Sequence, residues 1–323
     1  MQSFQRTDAI RAAINLRLFT AIGQAQATAA EIAAHCEASE REIRILCDYL
    51  ATLGLIRKNA DRYSASLDAS TFLDQRSAQY AGDALVEAFA SGGILSGYGL
   101  LADAIRRGGT ALPERGTLAH EYPAWPQHAR ALAAIGAATG ALLAKRLKAD
   151  STGPVRILDI AAGHGHYGIA FARENPAAQV FAQDWPHVLQ VAREQAEKAG
   201  VQHRFHLLPG NVFDIDLGGN YDLALIMNFL PDFGPAECET LLWKVRLALR
   251  PNGRVISLQW TPEDDRLSPA ACAQLALTLL ATTPHGDVYT YRELDRMFLR
   301  TQFVRSEMLD LPPSLQRVVV AYT

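Results

Sequence analysis

From Thr7 to Ala90 apolar residues recur every three or four positions, alanine is frequent and strand-like alternation is scarce, so this half is expected to be mainly helical. Within it Thr28 is placed to cap "AAEIAAHC" and Ser39 to cap "EREIRILCDYLATLG", with Gly54 stopping the second helix. The next stretch, "LIRKNADRYSAS", reads as a short hairpin. Helix, helix and hairpin in that order form a winged helix-turn-helix.

After Val155 the pattern changes to strands alternating with helices. The strands are VRILDIA, AQVFAQD, RFHLLPG, YDLALIMNF and GRVISLQW; helices follow the first strand through Arg173, then run from Pro186 to Ala199 and from Pro235 to Leu249. This order predicts an α/β, doubly wound, mostly parallel sheet. Two last strand-like runs, "FVRSEMLDL" and "QRVVVAYT", are joined only through "PPS", too short for a crossover, so an antiparallel hairpin at the sheet edge is expected. Between the halves, "FASGGILSGYGLLADAIRRGGTALP" is rich in glycine and reads as a hinge across the mouth of a site. A long alanine-rich helix entered through Pro123 and Pro126 then leads into the second half. The expected division is a helical, winged-helix-like domain with linker over residues 1–115 and an α/β domain over 116–323.

Composition narrows the partners. A chain of 323 residues exceeds the size of one ordinary core, and 49% hydrophobic with 20% charged residues describes a globular protein. No apolar run is long enough to span a membrane. The start lacks the order of a secretory signal, and Cys36, Cys47, Cys238 and Cys272 show no metal-ligand spacing, so a cytoplasmic location and no metal are expected. A net charge of -3 argues against nucleic acid, and Thr28 to Tyr63 carries five Lys/Arg against six Asp/Glu. The winged helix is therefore expected to join two copies of the chain through its apolar faces.

"RILDIAAGHGHYGIAFARENP" holds a chemical motif that is weak by its spacing alone: Gly163, Gly165 and Gly168 follow an apolar strand in G-x-G-x-x-G spacing, and Asp184 closes the next strand. That spacing alone admits a nicotinamide dinucleotide, or a tight turn with Asp184 merely capping the next helix. A dinucleotide enzyme needs a separate substrate domain, and one alternating domain fills the chain to its end.

The whole ordered set, "LDIAAGHGHYGIAFARENP", "FAQDWPHVL", "LLPGNVFD", "NFLPDFGPAECETLLWKVRLALRPNGRVI" and "TTPHGDVYTYREL", resembles the S-adenosylmethionine-dependent small-molecule O-methyltransferases of the caffeate and bacterial polyketide-tailoring type. The resemblance covers nearly the whole chain. It implies a class I methyltransferase fold behind a winged-helix dimerisation domain, S-adenosyl-L-methionine as cofactor with S-adenosyl-L-homocysteine as product, a homodimer and a small acceptor. It places Asp159, Gly163 and Gly165 against the methionine and ribose parts and Asp184 on the two ribose hydroxyls. Trp185 and Asn228 flank the cofactor, and Asn211, Val212 and Phe213 stand where the family contacts adenine, with Asn211 replacing its usual acidic residue.

The family's catalytic histidine is missing: Pro231 and Asp232 stand at its position. Three substitutes are open. Asp232 could serve as base, if its environment raised its pKa, or orient a water, or it could only cap the Pro235 helix. A histidine from elsewhere, His120, His128, His164 or His166, could reach the pocket. Or the acceptor could be acidic enough to react without a strong base. Glu263 lies where the family draws acidic residues and is the second catalytic candidate. Tyr98, Trp125, His128, Met227, Phe229, Phe233 and Trp260 are the expected pocket walls for an aromatic or polyketide-like acceptor. Oxygen is the favoured acceptor atom; carbon or nitrogen methylation, a non-methylating tailoring enzyme that retains the cofactor, and a binding protein are the alternatives.

Overall fold

The computed structural model describes residues 2–23, 25–88, 96–147 and 153–323, which fall into two compact units, Met1–Ala90 and Ser91–Thr323. The first carries α1 (Gln2–Asn15), α2 (Leu18–Ile22), β1 (Ala27–Thr28), α3 (Ala29–Cys36), α4 (Glu40–Thr52), β2 (Ile56–Asn59), β3 (Arg62–Ala65), α5 (Leu67–Phe72) and α6 (Gly82–Ala88). Its three strands pair antiparallel in the order β1-β3-β2, the wing expected from sequence. Thr28 and Glu31 close a capping box at the start of α3, whereas Ser39 stands at the N-cap of α4 without a side-chain hydrogen bond. Ile14, Leu18, Phe19, Ile32, Ile43, Leu50 and Tyr63 fill the core of this unit.

The second unit contains α7 (Leu101–Arg107), α8 (Trp125–Arg146), β4 (Val155–Ile160), α9 (His166–Glu174), β5 (Ala178–Asp184), α10 (Pro186–Lys198), β6 (Phe205–Pro209), β7 (Tyr221–Met227), α11 (Pro235–Ala248), β8 (Leu249–Gln259), α12 (Ala270–Thr282), α13 (Tyr291–Arg300), β9 (Arg305–Asp310) and β10 (Arg317–Tyr322). One seven-stranded sheet runs β6-β5-β4-β7-β8-β10-β9. Its first five strands are parallel, and β10 lies antiparallel between β8 and β9, as the short "PPS" link requires. Alternation along the strands serves two cores. Ile157, Leu225, Ile256, Leu258 and Val320 pack on the layer with α8 and α9; Leu158, Ile160, Ala224, Ile226 and Val319 pack on that with α11 and α13.

The division at Ala90 and Ser91 corrects the expected boundary at 115. Residues 96–118 belong to the second unit because they bond to it: Tyr98 Oη meets Thr278 Oγ1 at 2.7 Å, and Thr110 N–H donates to Thr283 O at 2.9 Å. The expected hinge partly lies outside the described residues, at 89–95; its remainder forms a short 3-10 turn (Ser96–Leu100) and α7, fastened to α12 rather than free. No helix among the described residues is long and apolar enough to cross a membrane.

Candidate active site

The strand order reverses between β4 and β7, where chain crossovers leave in opposite directions and open a crevice beyond the C-terminal strand ends. The turn after β4 enters that crevice. Gly163 adopts φ +56°, and a Cβ built there would meet only Ala161 O, at 3.9 Å, so its backbone borders open space. Gly168 does the opposite work: a Cβ there would come within 2.7 Å of Val180 Cγ1 and 2.8 Å of Asp159 Oδ2, so glycine lets α9 seat on the sheet. Asp159 Oδ2 accepts the Gly168 N–H at 3.1 Å. Burial holds the Asp159 carboxyl well above the usual carboxylate range. At 1% exposure it fixes the turn from behind.

Asp184 ends β5 beside this turn, half-buried. Its Oδ2 accepts the Gly163 N–H at 2.8 Å and its Oδ1 the Trp185 N–H at 2.7 Å; each oxygen retains a second acceptor position. Burial pushes its carboxyl up to about 6 against the pull of those two hydrogen bonds. Sequence reasoning missed Gln183, whose amide accepts from Ala161 N–H at 3.2 Å and donates to Gly210 O at 2.7 Å, tying the glycine turn to the end of β6. The Trp185 ring meets His120 edge-on at 4.8 Å and packs with Trp125, Ala129, Val188 and Val191. Trp125 and His128, their rings 5.4 Å apart, thus stand on α8 beside the Asp184 end of the crevice.

Beyond β6, Asn211 folds its own turn. Its Oδ1 accepts the Phe213 N–H at 3.1 Å and its Nδ2 donates to Asp214 Oδ2 at 2.8 Å. Lys244 of α11, also missed, donates to the carbonyls of Val212, Phe213 and Ile215 and so holds this loop. Val212 is buried, while Phe213, Phe233 and Phe229 form an edge-to-face series with centroids 5.2 and 4.8 Å apart. Asn228, at φ +54°, opens the turn after β7 and accepts from Gln316 Nε2 at 2.6 Å.

Asp232 closes a 3-10 turn (Leu230–Asp232) after β7. It does not cap α11: Gly234 is the N-cap and donates its N–H to Glu237 Oε2 at 3.2 Å. Among the described residues the half-buried Asp232 carboxylate has no hydrogen-bond or ion-pair partner, and its partial burial pushes it up to about 7.

Other expected site residues fall elsewhere. Glu263 is exposed and paired with Arg317 on the loop after β8. Met227 and Phe233 are core residues at 7% and 5% exposure, because their strand and turn point them into opposite core layers; neither is an open wall. Tyr98 and Trp260 both pack around α12, Trp260 with Cys272, Leu279 and Val288, leaving half-buried Phe229 as the wall residue nearest Asp232 in the chain. His164 is buried beneath α8, with its pKa pushed down to about 3, and accepts the His166 N–H at 3.1 Å. Burial likewise lowers His128 to about 4 and depresses His166. No group of three or more His, Cys, Asp or Glu among the described residues could hold a metal ion.

A seven-stranded sheet with this reversal, an acidic β5 end and an antiparallel last strand defines a class I, S-adenosyl-L-methionine-dependent methyltransferase. A family model described as an O-methyltransferase domain matches residues 129–304, and an O-methyltransferase dimerisation domain matches residues 1–75. The chain belongs to the O-methyltransferase family. It is 26% identical to the tetracenomycin polyketide synthesis 8-O-methyl transferase TcmO of Streptomyces glaucescens over 97% of this chain and 93% of that one. A Nostoc punctiforme protein whose crystal structure bears a provisional O-methyltransferase assignment is 41% identical, with a TM-score of 0.94 over 100% of this chain and 97% of that one. Human N-acetylserotonin methyltransferase, solved with S-adenosylmethionine, shares the fold at a TM-score of 0.84 and 19% identity, over 100% and 95% of the two chains.

Proposed function

We propose that the protein methylates oxygen on a small aromatic or polyketide-like acceptor, with Asp232 as general base. The observation that carries this reading is the unpartnered, burial-tuned Asp232 carboxylate at the turn beyond β7. The residues fit the cofactor: the Asp184 oxygens each keep an open acceptor position for a ribose hydroxyl, and the Gly163 backbone borders open space. When bound, S-adenosyl-L-methionine supplies an electrophilic methyl group. Asp184 binds the ribose edge, Trp185 and the Asn211–Phe213 turn flank the base, and Phe229 offers the acceptor a flat apolar surface.

Asp232 then takes the proton of the acceptor hydroxyl as the oxygen becomes nucleophilic. An ordinary phenol, near 10, would give up its proton to a group near 7 only at a cost of a few kcal/mol. A hydroxyl acidified by a neighbouring carbonyl, as in many polyketides, removes most of that cost, so this is the acceptor class favoured here. The polyketide enzyme among the similar proteins supports an acceptor of that class. Oxygen is favoured over carbon and nitrogen by the family model, which describes an O-methyltransferase domain.

The test is mass spectrometry with ortho-acyl phenols and hydroxyquinones as acceptors. Addition of one methyl group with formation of S-adenosyl-L-homocysteine is expected, with an acid limb near pH 7 in kcat/KM that Asp232→Asn abolishes together with at least about a hundredfold of rate. An Asp232→Asn enzyme with the native rate and profile would overturn the assignment. The dimerisation-domain match also supports a homodimer through residues 1–75. Light scattering should give about twice the chain mass; a monomer at working concentration would contradict it.

A further inference from the structure

The glycine turn after β4 enters α9 through a residue that has no side chain to cap it. Gly165 is the N-cap of α9 at φ +74°, and a Cβ there would lie 3.1 Å from both Ala192 Cβ and Phe205 Cζ. A capping side chain at that position would be strained and crowded. His164, one residue earlier, supplies the acceptor instead: its Nδ1 takes the His166 N–H, the first of α9, at 3.1 Å. A ring that accepts at Nδ1 carries its proton on Nε2 and is neutral. The same ring is wedged under α8. A Cβ on Gly136 would come within 2.1 Å of its Nε2 and 2.2 Å of its Cε1, so α8 clears the imidazole only because residue 136 has no side chain. One turn further along α8, a Cβ on Gly140 would lie 3.0 Å from His166 O.

We propose that His164 is a positioning residue for the cofactor, whose bond to the His166 N–H and seat against Gly136 set the Gly163–Gly165 backbone where the cofactor meets it. This rests on the reading of the Gly163 turn and Asp184 as the cofactor's seat. The turn is anchored at one end by Asp184, which accepts the Gly163 N–H, and at the other by Asp159, which accepts the Gly168 N–H. Between those two amides it meets α8 through the His164 ring. The same helix packs on Trp185 through Trp125 and Ala129, so α8 backs both turns that face the cofactor.

The test is calorimetric titration of full-length, cofactor-depleted protein with S-adenosyl-L-methionine, with circular dichroism confirming the fold of each variant. His164→Leu fills the seat without an acceptor and should bind at least about tenfold more weakly. His164→Asn, whose Oδ1 takes an N–H two residues on, should stay within about threefold of native. Gly136→Ala raises the helix propensity of α8 yet drives a methyl into the ring, so its affinity should also fall about tenfold. Adding His164→Asn removes the ring that the methyl meets and should bring the double variant back to within about threefold of native, a coupling that general loosening of the domain would not produce. Native affinity in both His164→Leu and Gly136→Ala, or a double variant weaker than Gly136→Ala, would overturn the proposal. If Gly136→Ala does not fold, the His164 pair decides, and equal affinities of the Leu and Asn variants overturn it. Asp184→Ala separates the two readings. If it alone is weakened, only the role of His164 falls; if it too binds like the native protein, or the native protein does not bind, the seat itself is wrongly placed and the proposal falls with it.

Discussion

Three aspartates at successive strand ends or turns show how environment divides one chemistry into separate tasks. Asp159 is sealed in and spends its carboxyl on Gly168; Asp184 is half-buried, with two backbone donors and room for two more; Asp232, also half-buried, has neither donor nor cation among the described residues. The last arrangement costs stability. The unfolded carboxyl loses its proton near pH 4 and the folded one near 7, so folding takes up a proton between those values and stability falls as pH rises through that window. Asp232→Asn removes the titration. The variant should exceed the native protein in urea-unfolding free energy by on the order of 2 kcal/mol at pH 8, after allowance for partial solvent contact, with almost no difference at pH 4. Equal differences at both pH values would contradict the burial of this carboxyl. A gain in stability that accompanies a loss of rate is what a strained functional group should give.

At the scale of elements, local signals were read directly and long-range ones were not. The wing, the β4 glycine turn, the acidic end of β5 and the terminal antiparallel pair all announce themselves within a dozen residues, through caps, glycines and a link too short to cross over. Residues 262–300 carried no strand-like or helical reading, although Thr290 and Glu293 form a capping box at α13 that could have been recognised. The segment 281–289 was illegible for a different reason. Its bonds join Thr110 to Ala281 and Tyr289 to Phe233, 171 and 56 residues apart, and such pairs leave no periodicity in either segment. The same holds for the site. Asp184 was legible because it ends a strand at the expected distance from the glycines, but whether Asp232 caps a helix or stands free depends on Glu237 taking the Gly234 N–H. Met227 misled because an apolar residue at a strand end reads alike whether it faces a pocket or a core.

For the whole molecule, the winged-helix unit and the methyltransferase unit each bury a core of their own. Everything proposed for the methyltransferase unit begins with a cofactor held by Asp184 and the Gly163 turn. The most direct measurement is a calorimetric titration of cofactor-depleted protein with S-adenosyl-L-methionine, run beside reduced nicotinamide dinucleotide and repeated with Asp184→Ala. One S-adenosyl-L-methionine per chain, no dinucleotide binding, and at least about a tenfold loss in the folded variant are expected. Native affinity should also fall about tenfold for each pH unit below 6, as the carboxylate that accepts the hydroxyls takes up a proton. Dinucleotide binding without S-adenosyl-L-methionine binding, or an Asp184→Ala isotherm identical to the native one, would contradict the account.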